Sequence, residues 1–183
     1  MAHELCLNLF QYSTMFGAGA PVEVTLEAAR DAGFQLVGLD VFSLDAAGLA
    51  PGAARALLDR HGVRCFEVLG LAVNASDDET MDAARRAARW VGETGAAWVL
   101  TVVDSPVDDA LPLAGDLADE VMARQVWPGE GEFPLTEFRD AIRATGYAGP
   151  VSVEVLNAAW RADGVDVHDF ARNAVRTSAP YWA

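Results

Sequence analysis

The sequence predicts an α/β protein, a parallel sheet of about five to six strands with helices packed outside it. Three observations carry this. An amphipathic helix, a glycine and a short apolar strand follow one another four times along the chain. The strands are rich in Val and Leu, as strands covered on both faces are. Helix and strand alternate, so successive strands need crossovers and pair in parallel. At 183 residues the chain is expected to form one domain, 1–183.

The elements follow in order. Leu5 to Phe10 reads as an opening strand. Pro21 suits the first turn of a helix. That helix runs through Leu26–Ala32, stops at Gly33 and leads into a strand over 35–41. The second helix ends at Leu57–His61, turns at Gly62 and leads into a strand over 63–69. In the third unit Ser76 and Glu79 fit a capping box. Met81, Ala84, Ala88 and Val91 then trace the inward face, and Gly95 precedes a strand over 97–103. In the fourth, Leu135, Phe138 and Ile142 trace the inward face, and Gly146 precedes a strand over 151–156. A last helix over 166–176 directs Val167, Phe170, Ala171 and Ala174 inward. Residues 105–133, with Pro106, Pro112 and Pro128, read as a long loop with a short helix near 117–124. A loop of that length is expected to be functional or disordered.

Thirteen Lys and Arg stand against 27 Asp and Glu, a formal net charge of -14. Such a surface repels nucleic-acid phosphates and anionic membranes. The start has no basic n-region, and no apolar run reaches the ~18 residues of a membrane span. Cys6 and Cys65 fall in strands without CxxC or zinc spacing, so buried reduced thiols are expected. The cytoplasm is the expected compartment. His61 and His168 read as structural or exposed.

Ligands of parallel α/β folds bind at the C-terminal ends of the strands. Asp40, Glu67, Asp104 and Glu154 each lie near such an end. Four carboxylates at one mouth suit a hard divalent cation, or divide into base and acid for proton transfer. Each alone also has a structural reading, as an arginine partner or a helix cap. Asn8 is expected on the inner face with Cys6. Gln11 and Tyr12 follow the first strand. Trp127, Trp160 and Phe16 are aromatic candidates for a pocket wall.

Three segments carry a family resemblance. They are LEAARDAGFQLVGLD (26–40), LLDRHGVRCFEV (57–68) and RQVWPGEGEFPLTEFRDAIRATGYAGPVSVEVL (124–156). They resemble the sugar phosphate isomerases/epimerases with a xylose-isomerase-like TIM barrel. The resemblance implies an incomplete or reduced TIM-barrel-like sheet and a divalent metal (Mn, Mg, Co or Zn). It implies that Glu154 is the last-strand glutamate, both metal ligand and acid/base, and that Arg124 holds substrate oxygens. Asp104, in VVDSP, resembles the aspartate that follows the seventh strand.

A full barrel takes ~250 residues. The family's fifth and sixth strands have no counterpart here, nor does its histidine ligand. The expected catalytic residues are therefore Glu154 and Asp104. Arg124, Asn8 and Trp127 are expected to bind substrate, and Glu154, Asp40, Glu67 and Asp104 to supply the metal ligands. The expected activity moves a proton next to the carbonyl of a small sugar-like or hydroxy-carbonyl compound. The alternative is a relative repurposed as a binding protein or a metal-free lyase or dehydratase. An endonuclease of similar fold is disfavoured by the charge of -14 and only three histidines. Exposed sheet edges are expected to be covered in a homo-oligomer, most simply a homodimer.

Overall fold

The structure is a computed structural model that describes residues 2–17, 19–73, 77–103 and 123–182. Five parallel strands form one sheet: β1 (Leu5–Asn8), β2 (Leu36–Asp40), β3 (Arg64–Val73), β4 (Trp98–Val103) and β5 (Val151–Val153). Their order is β4-β3-β2-β1-β5. The first four strands step in one direction, and the last returns to the far side of β1. The result is a curled half-barrel with helices outside it, an incomplete TIM-barrel-like α/β fold. The helices are α1 (Val22–Asp31), α2 (Val41–Ala46), α3 (Ala53–His61), α4 (Asp77–Thr94), α5 (Leu135–Ala144), α6 (Ala158–Ala162) and α7 (Val167–Trp182). Among the described residues no helix is long and apolar enough to cross a membrane.

Alternation along the strands divides the residues between two layers. Leu7, Val37 and Val68 are fully buried in the core formed with Leu26, Leu58 and Phe170 of the helices. Asn8, Gly38 and Glu67 stand side by side in register across β1, β2 and β3. The register shifts between Val37 and Gly38, and again between Leu69 and Leu71. The second shift falls at Gly70, whose φ of 116° is open to glycine and rarely to other residues. Gly62 closes α3 at φ 66° in the manner the repeat predicts.

The last helix buries Val167, Phe170, Ala171 and Ala174, as its spacing predicts. It runs on to Trp182, further than expected. Two inward faces come out differently. In α4 the buried positions are Ala83, Ala87, Trp90 and Thr94, while Met81 is exposed. Trp90 decides the rotation, because its ring buries far more area than Met81 and its Nε1 donates to Asp45 at 2.8 Å. In α5 no residue is buried, and Phe138 is exposed. That helix follows a stretch with no strand to pack on among the described residues. Strand β5 ends at Val153, three residues short of the predicted limit, because Leu156 and Asn157 turn toward residues 124–125. Ser76 of the capping box and the helix expected near 117–124 lie outside the described residues, apart from the last two positions of the latter.

Strand β4 is one edge of the sheet and β5 the other. On β4, Trp98 is 64% exposed and Val102 63%. His61, read from the sequence as structural or exposed, is buried. Neither of its ring nitrogens has a hydrogen-bond partner, and Nε2 lies 3.8 Å from Glu23.

Candidate active site

The inner face of the half-barrel collects the polar residues that the outer face excludes. Its centre is Glu67, which is buried. Its Oε1 accepts from Asn8 Nδ2 at 3.0 Å and from Ser152 Oγ at 2.6 Å. These donors sit on β1 and β5, so the side chain reaches from β3 across β2. Gly38 makes the reach possible. A Cβ there would stand 2.7 Å from Glu67 Oε1 and 2.9 Å from its Cγ. Asn8 is itself held in place by Phe10 N–H, which donates to Asn8 Oδ1 at 3.0 Å. The amide NH₂ is thereby turned to Glu67.

Glu154 follows Ser152 by two residues and shares its face. Burial, followed by the negative charge of Glu67, pushes its carboxyl up to about 7. The Cys6 thiol faces the same floor. Burial and Glu67 push it far above the usual thiol range, so it stays protonated. Cys65 turns to Thr94 of α4 instead, and burial pushes it up to about 11. Both cysteines are free.

The predicted site residues separate into groups. Glu67, Glu154 and Asn8 come together on the inner floor. Asp40 is spent locally. It caps α2 by accepting from Ser43 N–H at 2.8 Å, and its Oδ1 also accepts from Ser13 Oγ at 2.7 Å. Arg124 forms an isolated antiparallel bridge with Asn157, just past β5, and its side chain is exposed. Trp127 is buried in an aromatic stack, 4.6 Å from the Trp160 ring and 5.0 Å from Phe170. Asp104 lies outside the described residues. Among the described residues no group of three or more His, Cys, Asp and Glu is arranged to hold a metal ion. Two carboxylates, one of them fixed by an amide and a hydroxyl donor, do not make the six-oxygen shell of Mg²⁺ or Mn²⁺.

A cavity of about 490 Å³ opens between the loop after β1 and the connection from α6 to α7. Gln11, Tyr12, Phe16, Arg161 and Asp166 line it. Gln11 is locked to Asn157 by two bonds, Nε2 to the carbonyl at 2.9 Å and Oε1 from the N–H at 3.0 Å. It also accepts from Arg161 Nη1 at 2.9 Å. The Arg161 guanidinium lies 4.1 Å above the Phe16 ring, and burial lowers its pKa. Sequence reasoning flagged Gln11 and missed Arg161 and the role of Ser152. A cation in the short helix that follows the last strand is the signal for the former. Alternation with Glu154 is the signal for the latter.

Comparison with known proteins agrees with this architecture. The chain has the xylose-isomerase-like TIM-barrel fold in shortened form. It superposes on a xylose isomerase-like TIM barrel/4-hydroxyphenylpyruvate dioxygenase fusion protein with a TM-score of 0.71 at 17% identity, over 97% of this chain and 42% of that one. An IOLI protein with a bound zinc atom gives 0.71 at 12% identity, over 98% and 99% of the two chains. A D-psicose 3-epimerase studied with D-fructose gives 0.63 at 14% identity, over 97% and 99%. In sequence, 54 residues are 41% identical to a 3-dehydroshikimate dehydratase of Pseudomonas putida. That match spans 30% of this chain and 8% of the dehydratase. No protein-family profile matches the chain. Two of these neighbours are named as enzymes, an epimerase and a dehydratase. The fold hosts many chemistries, so the reaction has to be argued from the site.

Proposed function

We propose that this protein is an isomerase- or epimerase-like enzyme that moves a proton next to the carbonyl of a small sugar-like or hydroxy-carbonyl compound, with Glu154 carrying the proton. The observation that carries the reading is the Glu154 carboxyl just past β5, pushed up by burial and then by the negative charge of Glu67, which Asn8 and Ser152 hold on the inner floor. A carboxyl that titrates near 7 is present in both forms at neutral pH, so it can take a proton and return it. Glu67, held by Asn8 and Ser152, supplies fixed charge beside it. The D-psicose 3-epimerase among the structural neighbours and the 3-dehydroshikimate dehydratase matched over 54 residues support a reaction on a small hydroxylated compound. Arg124 and Asp104 remain proposed contributors from the segment before β5.

A divalent cation (Mn, Mg, Co or Zn) does not fit the described residues alone, and no step is assigned to one. Its ligands would have to include residues such as Asp104 beyond them. Elemental analysis of the purified protein tests this, and stoichiometric metal lost in Glu154→Gln would reinstate the family's metal chemistry. A screen of keto sugars and hydroxy-carbonyl acids tests the activity. Turnover is expected in the native protein and a loss of at least ~100-fold in Glu154→Gln; full turnover in the variant would sink the assignment.

The cytoplasm is the proposed compartment, on the two buried, reduced thiols. We also propose that a second copy covers the edge bearing Trp98 and Val102. Light scattering tests this, and a monomer at all concentrations contradicts it.

A further inference from the structure

The cavity of about 490 Å³ has no part in the proton-transfer reading, and Glu154 is not among the described residues that line it. Its size falls within the ~300–1,000 Å³ of small-molecule sites. It lies past the C-terminal ends of β1 and β5, where parallel α/β folds bind their ligands. Its two walls are fixed in advance. The Tyr12 hydroxyl donates to the Val165 carbonyl at 2.8 Å and ties one wall to the other. Gly19 lets the segment after β1 fold back on itself, since a Cβ there would collide with the Tyr12 carbonyl. Arg161 is held over the Phe16 ring and by Gln11, which Asn157 locks in turn. The chain reverses at Gly164, with φ 66°, and Asp166 thereby lines the same cavity as Arg161. The Asp166 carboxylate is fixed at the head of α7, where Oδ1 accepts from the His168 N–H at 2.9 Å and the Asp169 N–H at 3.2 Å.

We propose that this cavity is a binding site for a small hydroxy acid, with Arg161 holding its carboxylate and Asp166 accepting from its hydroxyls. The planar guanidinium matches a carboxylate in shape and charge. An ionised aspartate only accepts, so hydroxyl hydrogens suit it and a second anion does not. That pairing of one cation with one carboxylate favours a monoanionic acid over a phosphate dianion, which would meet the Asp166 charge with a single cation to offset it. Burial takes the Arg161 cation partly out of water, which strengthens its attraction for an arriving anion. The guanidinium is already stacked and hydrogen-bonded, so little side-chain freedom is lost on binding. The site stands apart from Glu154 and does not depend on its chemistry.

The test is calorimetric titration of the full chain with D-glycerate, D-gluconate and L-tartrate, with amide shifts of ¹⁵N-labelled protein to locate the ligand. At least one acid is expected to bind with a Kd below ~1 mM and to move the Phe16 and Gly164 amides. D-glucose (hydroxyls without a carboxylate), propionate (a carboxylate without hydroxyls) and inorganic phosphate are each expected to bind at least ~10-fold more weakly than the best acid. Arg161→Gln is expected to weaken that acid by at least ~10-fold. The proposal is overturned if no acid binds below ~1 mM, if the shifts fall away from the cavity, or if any of the three control probes comes within ~10-fold of the best acid. Unchanged binding in Arg161→Gln overturns it equally. Should that variant fail to fold, the comparison of acids with control probes on the native protein decides alone. Failure of the proton-transfer reading shows separately, as turnover retained in Glu154→Gln.

Discussion

The carboxylate of Glu67 crosses the sheet above Gly38, with Oε1 placed 2.7 Å from where a Cβ at that glycine would stand. The two residues are register partners on neighbouring strands, so the glycine's missing side chain is the passage for the glutamate's present one. Gly38→Ala should therefore destabilise the protein by about 1–3 kcal/mol, as overpacking against a held side chain does. Combined with Glu67→Ala, the same change should cost less than the sum of the two single variants, because the collision is gone. Denaturant melts of the four proteins measure both.

Glu154 makes stability depend on pH in an unusual direction. The native carboxyl holds its proton up to about pH 7, while the unfolded chain releases it near a glutamate's ordinary 4.5. Between those values the native state binds more protons than the unfolded state, so this group's contribution to stability falls as pH rises through the window. Glu154→Gln, which cannot ionise, should be more stable than the native protein at pH 8, by on the order of 1–3 kcal/mol. At pH 4 the two should be nearly equal. Thermal melts across the window check the sign.

Asp40 is held by the helix it caps. Removing both acceptor oxygens in Asp40→Ala strips α2 of its cap and leaves Ser13 Oγ without its acceptor. A cost of about 1–3 kcal/mol follows. Asp40→Asn keeps one acceptor oxygen and should cost less than half as much. Chemical denaturation of both variants ranks them. A change in bound metal in Asp40→Asn, with stability intact, would return Asp40 to the role of a ligand.

The sheet and its helices were legible in the sequence because they depend on local chemistry. The glycine after each helix, the Val-rich strands and the spacing of Val167, Phe170, Ala171 and Ala174 all act within a few residues. The pairing of β5 with β1 was not legible, since nothing local says which strand closes back on the first. Individual helix faces were misread where one large ring outweighed the periodic pattern, as Trp90 does against Met81. The acids were visible, but their duties were not. Asp40 and Glu67 are both acids near strand ends. What separates them is a serine backbone N–H in one case and the gap at Gly38 in the other. Arg161 was missed because its place beside Gln11 and Phe16 depends on α6 and the segment after β1, which meet only after folding.

The measurement that bears most directly on proton transfer at Glu154 is deuterium incorporation next to the carbonyl of candidate hydroxy-carbonyl compounds, followed by NMR in D₂O with native protein and Glu154→Gln. It registers proton removal whatever product is finally formed. The account predicts exchange with the native protein on at least one compound, and none above background with the variant. Equal exchange by both proteins, or none by the native protein on any compound of the panel, would contradict it.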